Sequence, residues 1–110
     1  MKLRLMADYQ CHPLWEKLES GVRNVSPAEL PISDALKHAL VAWAASYDST
    51  LNQDDPAQSG FPSEREERGF EATGLRLWAA LRAELGPTVD VSYFSQESRC
   101  ELDSPRLALS

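Results

Sequence analysis

Few residues in this sequence have side chains that commonly do covalent or acid–base chemistry. Two histidines and two cysteines occur, and one of each is adjacent, as Cys11-His12. Neighbouring residues in an extended chain point to opposite faces, so this pair does not form a catalytic dyad. Cys100 is far from Cys11, and neither belongs to a Cys-x-x-Cys pair that would favour zinc. Because phosphate-loop and hydrolase motifs are also missing, we predict no enzyme activity and no cofactor.

The acidic residues are more informative than the potential nucleophiles. The formal net charge is −6, and residues 48–71 contain seven acids and two bases. Within that segment, the spacing of Asp48, Asp54 and Asp55 does not match the alternating oxygen ligands of an EF-hand loop. The sequence therefore predicts no metal site, and the acids need another explanation.

The sign of the charge decides which partners are disfavoured. Binding to nucleic acid needs clustered lysines or arginines, and the 11 basic residues here are scattered. An anionic membrane surface would repel the chain for the same reason. A cationic protein partner is what the charge favours. Glu64 and Glu67 also have a simpler interpretation, because acids in the first turn of a helix complement its dipole.

Aromatic residues offer candidate anchors for a protein partner. Trp43 and Trp78 lie on helical apolar stripes and are predicted to belong to the core. Trp15 lies in a weak, polar strand, where it could anchor an interface or close an edge of the core. Phe61 lies in a loop beside the acidic residues and is a second candidate anchor.

Four segments with strand patterns precede or follow the helical part of the chain. Residues 2–7 alternate between apolar and polar side chains, as a half-buried strand does. Residues 14–18 and 22–25 flank a short Gly-containing gap of hairpin length. Residues 89–94 alternate again and predict a final strand.

Two helices are predicted between these strands. After a cap at Ser33 or Asp34, apolar residues recur at helical spacing up to residue 51. Residues 52–62 have loop composition, and Ser63 with Glu66 forms a capping-box pattern that starts the second helix. That helix ends at Gly86-Pro87. On its apolar stripe Gly74 could permit a close crossing opposite Trp43 or Tyr47.

This order of elements predicts an α+β fold. We expect a small, mostly antiparallel sheet of three to four strands with an antiparallel two-helix layer on one face. Residues 1–95 are predicted to form the single domain, and residues 96–110 a C-terminal tail. We expect a cytoplasmic protein, because no apolar run approaches a membrane span and no signal-peptide cleavage site follows the N-terminus.

Several short motifs together resemble a family of small acidic bacterial proteins of unassigned function, over residues 2 to about 95. The motifs are Leu5-Met6-Ala7-Asp8-Tyr9, Pro13-Leu14-Trp15, Asn24-Val25-Ser26-Pro27, Leu30-Pro31-Ile32-Ser33, Trp43, Tyr47-Asp48, Leu51-Asn52, Asp54-Asp55-Pro56, Ser59-Gly60-Phe61 and Glu84-Leu85-Gly86. In profile this family is similar to the immunity proteins encoded beside bacterial toxins. The resemblance implies a non-catalytic inhibitor of a toxin domain.

The resulting hypothesis is that the chain binds a basic toxin domain by steric and electrostatic occlusion. The predicted partner-binding residues are acids around the interhelix loop and two aromatic anchors: Asp48, Asp54, Asp55, Phe61, Glu64, Glu67 and Trp15. The main alternative is a structural or regulatory module that forms a homodimer through its sheet edges. A third hypothesis is a small enzyme whose site has no recognisable sequence motif.

Overall fold

A five-stranded sheet with two helices on one face makes up the described part of the chain. The computed structural model describes residues 1–50, 61, 63–96 and 98–103. The elements in chain order are β1 (Lys2–Leu5), β2 (Leu14–Leu18), β3 (Gly21–Val25), a 3-10 helix (Pro27–Glu29), α1 (Asp34–Asp48), α2 (Glu64–Leu85), β4 (Asp90–Ser95) and β5 (Cys100–Leu102).

The strand order across the sheet is β3-β2-β1-β4-β5. The central strands β1 and β4 run parallel, with Leu3 opposite Val91 and Leu5 opposite Tyr93, and every other pair is antiparallel. All four of these side chains are buried on the helix-covered face. Because β1 and β4 run in the same direction, their carboxyl ends reach the same edge of the sheet.

The predicted α+β class and its two helices are confirmed, and the predicted number of strands is wrong. The described residues contain five strands rather than three or four. Three of the four strand pairs are antiparallel, as a mostly antiparallel sheet requires, but the central pair is parallel and makes the sheet mixed. The additional strand, β5, lies within residues 96–110, where the sequence predicted a tail. Three residues are too few for alternation to be recognised, so only pairing with β4 defines this strand.

Both helices begin at the predicted caps. The Ser33 hydroxyl accepts a hydrogen bond from the Leu36 amide, and the Ser63 hydroxyl accepts one from Glu66. Gly86 ends α2 with a φ of 79°, a conformation that glycine adopts more readily than other residues. Neither described helix is long and apolar enough to cross a membrane.

The two helices pack antiparallel. At one end of the pair, the Ser33 amide and hydroxyl donate hydrogen bonds of 2.6 and 2.9 Å to the carboxylate of Glu84, near the end of α2. Near the other end, the Trp43 indole stacks on Phe70 and donates a 3.0 Å hydrogen bond to the Phe70 carbonyl. The start of α1 therefore lies beside the end of α2.

Gly74 permits the close approach that its position on the apolar stripe predicts. A Cβ atom added there would lie 2.5 Å from the Tyr93 hydroxyl and 2.7 Å from the Trp43 ring. Both aromatic side chains are at most 3% exposed, so neither can move aside easily. The missing side chain at Gly74 is what lets α1, α2 and β4 meet at this level.

We predict that Gly74→Ala destabilises the protein by ~1–3 kcal/mol, because the added methyl group overfills a closely packed core. The matched control is Gly69→Ala in the same helix, where an added Cβ meets no atom within 4 Å. There the gain in helix propensity stabilises by up to ~1 kcal/mol. Urea unfolding of both variants measures the difference, and equal stability of the two would contradict the close crossing.

The face of the sheet away from the helices has its own ionic cluster. Glu101 of β5 forms ion pairs with Lys17 of β2 and, at 3.7 Å, with Arg4 of β1. Partial burial raises the pKa of the Glu101 carboxyl, but hydrogen bonds from Lys17 and Ser92 and the nearby cations lower this pKa overall. The cluster therefore connects the short edge strand to the centre of the sheet.

We predict that Glu101→Gln lowers the free energy of unfolding at pH 7 by no more than ~1 kcal/mol, because solvent screens a partly exposed pair. Because the pKa of Glu101 is lowered in the folded protein, its carboxylate stabilises the fold at pH values above the ordinary carboxyl pKa. This stabilisation disappears as the pH falls through the lowered pKa. Unfolding curves at pH 7 and in acid measure this loss. Glu19→Gln in the exposed β2–β3 turn is the control. A wild-type advantage over Glu101→Gln that persists in acid would contradict the prediction.

Candidate protein-binding surface

Four segments of the chain converge at one end of the domain. They are the carboxyl ends of β1 and β4, the end of α1 and the start of α2, brought together by the parallel strand pair and the antiparallel helices. We call this surface the acidic end. Its described acids and aromatic residues are Asp8, Tyr9, Tyr47, Asp48, Phe61, Glu64, Glu66 and Glu67. The start of α2 also brings two basic residues, Arg65 and Arg68.

An aromatic cluster forms the base of the acidic end. Tyr9, from the loop after β1, stacks on Tyr47 of α1 with ring centroids 4.6 Å apart. Tyr47 also contacts Phe61 at 6.3 Å and Phe70 at 5.6 Å. The hydroxyls of Tyr9 and Thr50 are 2.8 Å apart, which fixes the outer ring. These contacts provide a rigid, partly exposed apolar surface.

Tyr47 stays neutral in this environment. Burial raises the pKa of its phenol to about 12, and the neighbouring Tyr9 and Asp8 add to the increase. The ring therefore contributes apolar area and hydrogen bonding at physiological pH, and the acids around it carry the negative charge.

Asp48 occupies an electrostatically unfavourable position. It is the last residue of α1, where the helix dipole already carries partial negative charge, and the last turn has no basic residue. Its carboxylate accepts a 2.8 Å hydrogen bond from the backbone amide of Gln10, which orients it toward the loop after β1. The carboxylate and the helix terminus together concentrate negative potential at this point.

The glutamates at the start of α2 have the opposite relation to their helix. They complement its positive end, as the simpler interpretation of Glu64 and Glu67 expects. Glu64 also pairs with Arg68 at 3.1 Å, but both side chains are more than two-thirds exposed, so the pair is weak. Glu67 is half-buried and makes no ion pair with any described residue.

The predicted site residues divide into three groups. Asp48, Phe61, Glu64 and Glu67 lie at the acidic end. Trp15 does not join them: it is opposite Arg4 on the uncovered face of the sheet, and its indole donates a hydrogen bond to the Met6 carbonyl. Asp54 and Asp55 lie outside the described residues.

Other residues of this surface were not predicted from the sequence. Asp8 and Tyr9 join it because their loop reaches the end of α1, and their positions in the chain contain no signal for that contact. Glu71 belongs to the acid-rich segment but is buried, where it accepts hydrogen bonds from Tyr93 and Ser95. Its place on the inner face of α2, one residue after Phe70, could have revealed this.

The described residues contain no group of three or more His, Cys, Asp or Glu side chains placed to hold a metal ion. The acidic end presents carboxylates, two phenol groups and an aromatic surface, which can bind cationic and apolar groups of a partner.

Comparison with known proteins identifies the family. The family model for Serratia CdiI immunity protein-like proteins matches residues 1–96, so the chain belongs to that family. The resemblance to toxin-immunity proteins is thereby confirmed. No curated protein matches the chain.

We predict that Asp48→Asn leaves folding stability unchanged or raises it by up to ~1 kcal/mol, because it removes like charge from a helix C-terminus. The asparagine oxygen can still accept the hydrogen bond from Gln10. Asp34→Asn, at the first turn of the same helix, is the matched control and is expected to destabilise by ~0.3–1 kcal/mol. Urea unfolding compares the two variants. A larger loss for Asp48→Asn would show that its carboxylate supports the fold.

Proposed function

We propose that this protein is an immunity-type inhibitor, without catalytic activity, that binds a toxin domain in the cytoplasm. Membership of the Serratia CdiI immunity protein-like family supports toxin inhibition. The observation that carries the proposed mechanism is the acidic end, where acids from two helices and a loop lie at the same end of the domain as an aromatic cluster. The toxin surface that fits it is a basic cleft.

The proposed mechanism combines electrostatic attraction with steric occlusion. A cleft that holds phosphate groups is lined by cations, and an acidic protein that covers it excludes the substrate. The net charge of −6 speeds the encounter with such a cleft, and the effect weakens as salt screens the charges. Tyr9, Tyr47 and Phe61 supply the apolar contact that slows dissociation.

The remaining predicted residues have different relations to this surface. Asp54 and Asp55 follow Asp48 within a few residues of the chain, and we propose that they extend the negative charge of the acidic end. Trp15, on the uncovered face of the sheet, would take part only if the toxin reaches around the edge of the domain. Its role as an anchor stays a prediction.

Homodimerisation is a second candidate, supported by one feature of the sheet. The edge strand β3 carries Val22, which is 54% exposed and lies opposite Lys17, and Leu18 at the end of β2 is 46% exposed on the other face of the hairpin. An exposed apolar edge strand can pair with a second copy of itself. Such a dimer would use the end of the hairpin opposite the acidic end, so it is compatible with toxin binding.

The binding surface can be tested by paired charge removal. We predict that Glu64→Gln with Glu67→Gln slows association with the toxin domain encoded by the adjacent gene ~3–10-fold, because the attraction that steers encounter is reduced. The matched control is Glu19→Gln with Asp90→Asn, which removes the same charge from the opposite end of the sheet. Stopped-flow measurements at low and high salt give the association rate constants.

Several outcomes would count against the proposal. If both double variants slow association equally, net charge rather than the acidic end is responsible. If wild-type protein neither binds nor inhibits that toxin domain, the function itself is wrong. A dimer in analytical ultracentrifugation with no affinity for the toxin would favour the second candidate.

A further inference from the structure

Two non-glycine residues among those described have a left-handed backbone conformation, and both lie at the acidic end. Gln10 has a φ of 60° in the loop after β1, and Arg99 has a φ of 55° in the turn after β4. A side chain disfavours this conformation, which glycine would adopt freely. Such residues cluster at functional sites, where the side chain outweighs the strain. A functional role of the side chain would explain why a residue other than glycine has this conformation.

Arg99 is held in place by hydrogen bonds that lead into the core. Its amide donates a 2.8 Å hydrogen bond to the Ser95 carbonyl, and the Ser98 amide donates one of 3.1 Å to the Ser95 hydroxyl. That hydroxyl donates in turn to the carboxylate of Glu71, which is only 9% exposed. Hydrogen bonds to the buried Ser95, the last residue of β4, therefore hold Ser98 and Arg99 in place.

The charge of Arg99 is available to a partner. The residue is exposed, and it forms no ion pair with any other residue that the structure describes. It lies close enough to Tyr47 for its positive charge to oppose, in part, the rise of the phenol pKa caused by burial, Tyr9 and Asp8. The acidic end thus carries the guanidinium of Arg99 from the turn after β4, in addition to those of Arg65 and Arg68 at the start of α2.

A cation at this position does not help to bind a uniformly basic cleft. It would repel the cations of the toxin and reduce the attraction supplied by the acids. The presence of an arginine in this left-handed conformation is explained if a carboxylate of the partner lies opposite it. The planar guanidinium can form two parallel hydrogen bonds with a carboxylate, which adds directional selectivity to the attraction.

We infer that Arg99 is a specificity-determining residue that binds a carboxylate on the toxin, next to the basic cleft that the acidic end covers. This inference rests on the proposed function and adds to it the chemistry of one partner group. Toxins that lack a carboxylate at this place would meet an unpaired cation and bind less well.

The test compares Arg99→Gln with Arg76→Gln, which removes the same charge from an exposed position in the middle of α2. The probe is the toxin domain encoded by the adjacent gene, with association and dissociation rates measured by surface plasmon resonance. We expect Arg99→Gln to raise the dissociation rate at least ~10-fold, because an interfacial hydrogen-bonded charge pair is lost. Arg76→Gln should change it less than ~2-fold.

The opposite result is expected if only the overall negative charge matters. Removing a cation from the acidic end would then speed association and tighten binding, and this outcome, or unchanged affinity, overturns the inference while the proposed function stands. Failure of the wild-type protein to bind the toxin domain overturns both. The two failures are therefore distinguishable in one set of measurements.

Arg99→Gly separates recognition from folding. Glycine relieves the left-handed strain, so the Tm should be unchanged or higher, while affinity falls as far as in Arg99→Gln. Arg99→Lys keeps the charge without the two-pronged geometry and should give intermediate affinity. A lower Tm with wild-type affinity in Arg99→Gly would show that Arg99 serves only the fold.

Discussion

The contact between α2 and β4 determines how the rest of the molecule is arranged. Gly74 lets the helix approach Tyr93 closely, and buried polar groups then fix the register of helix on strand. The Glu71 carboxylate accepts hydrogen bonds from Tyr93 and Ser95, while the Trp78 indole donates one of 2.8 Å to the Val91 carbonyl. A shift by one residue would leave these groups without partners in the core, at a cost that few contacts could offset. The start of α2 is thereby placed at the carboxyl end of β4.

The acidic end shows where stability and recognition impose different demands. Asp48 adds negative charge to the negative end of α1, and Arg99 adopts a conformation better suited to glycine. Glu64 and Glu67, in contrast, complement the dipole of their helix, so at these two positions helix stability and a negatively charged surface make the same demand. Asp48 and Arg99 therefore fit the fold less well than the acids at the start of α2, which is the pattern expected if binding has shaped this surface.

Local patterns predicted the helices and their ends more reliably than the number and direction of the strands in the sheet. The caps at Ser33 and Ser63, the stop at Gly86 and the close crossing at Gly74 all depend on residues near in sequence or on one helical face, and each is confirmed. The parallel direction of β1 and β4 was not predicted, because alternation of side chains is the same in parallel and antiparallel strands. β5 is held by pairing with β4 and by the ion pairs of Glu101, neither of which leaves a local pattern.

The sequence by itself determined the α+β class, the two capped helices, the excess of acidic residues and the resemblance to immunity proteins. These properties depend on composition and on short-range spacing, which a single chain displays directly. Only the tertiary structure decided which acids share a surface, that Glu71 is buried, that Trp15 lies on the uncovered face of the sheet, and that Tyr9 stacks on Tyr47. The physical reason is that these relations depend on strand direction and helix register, which are set by contacts between residues far apart in the chain.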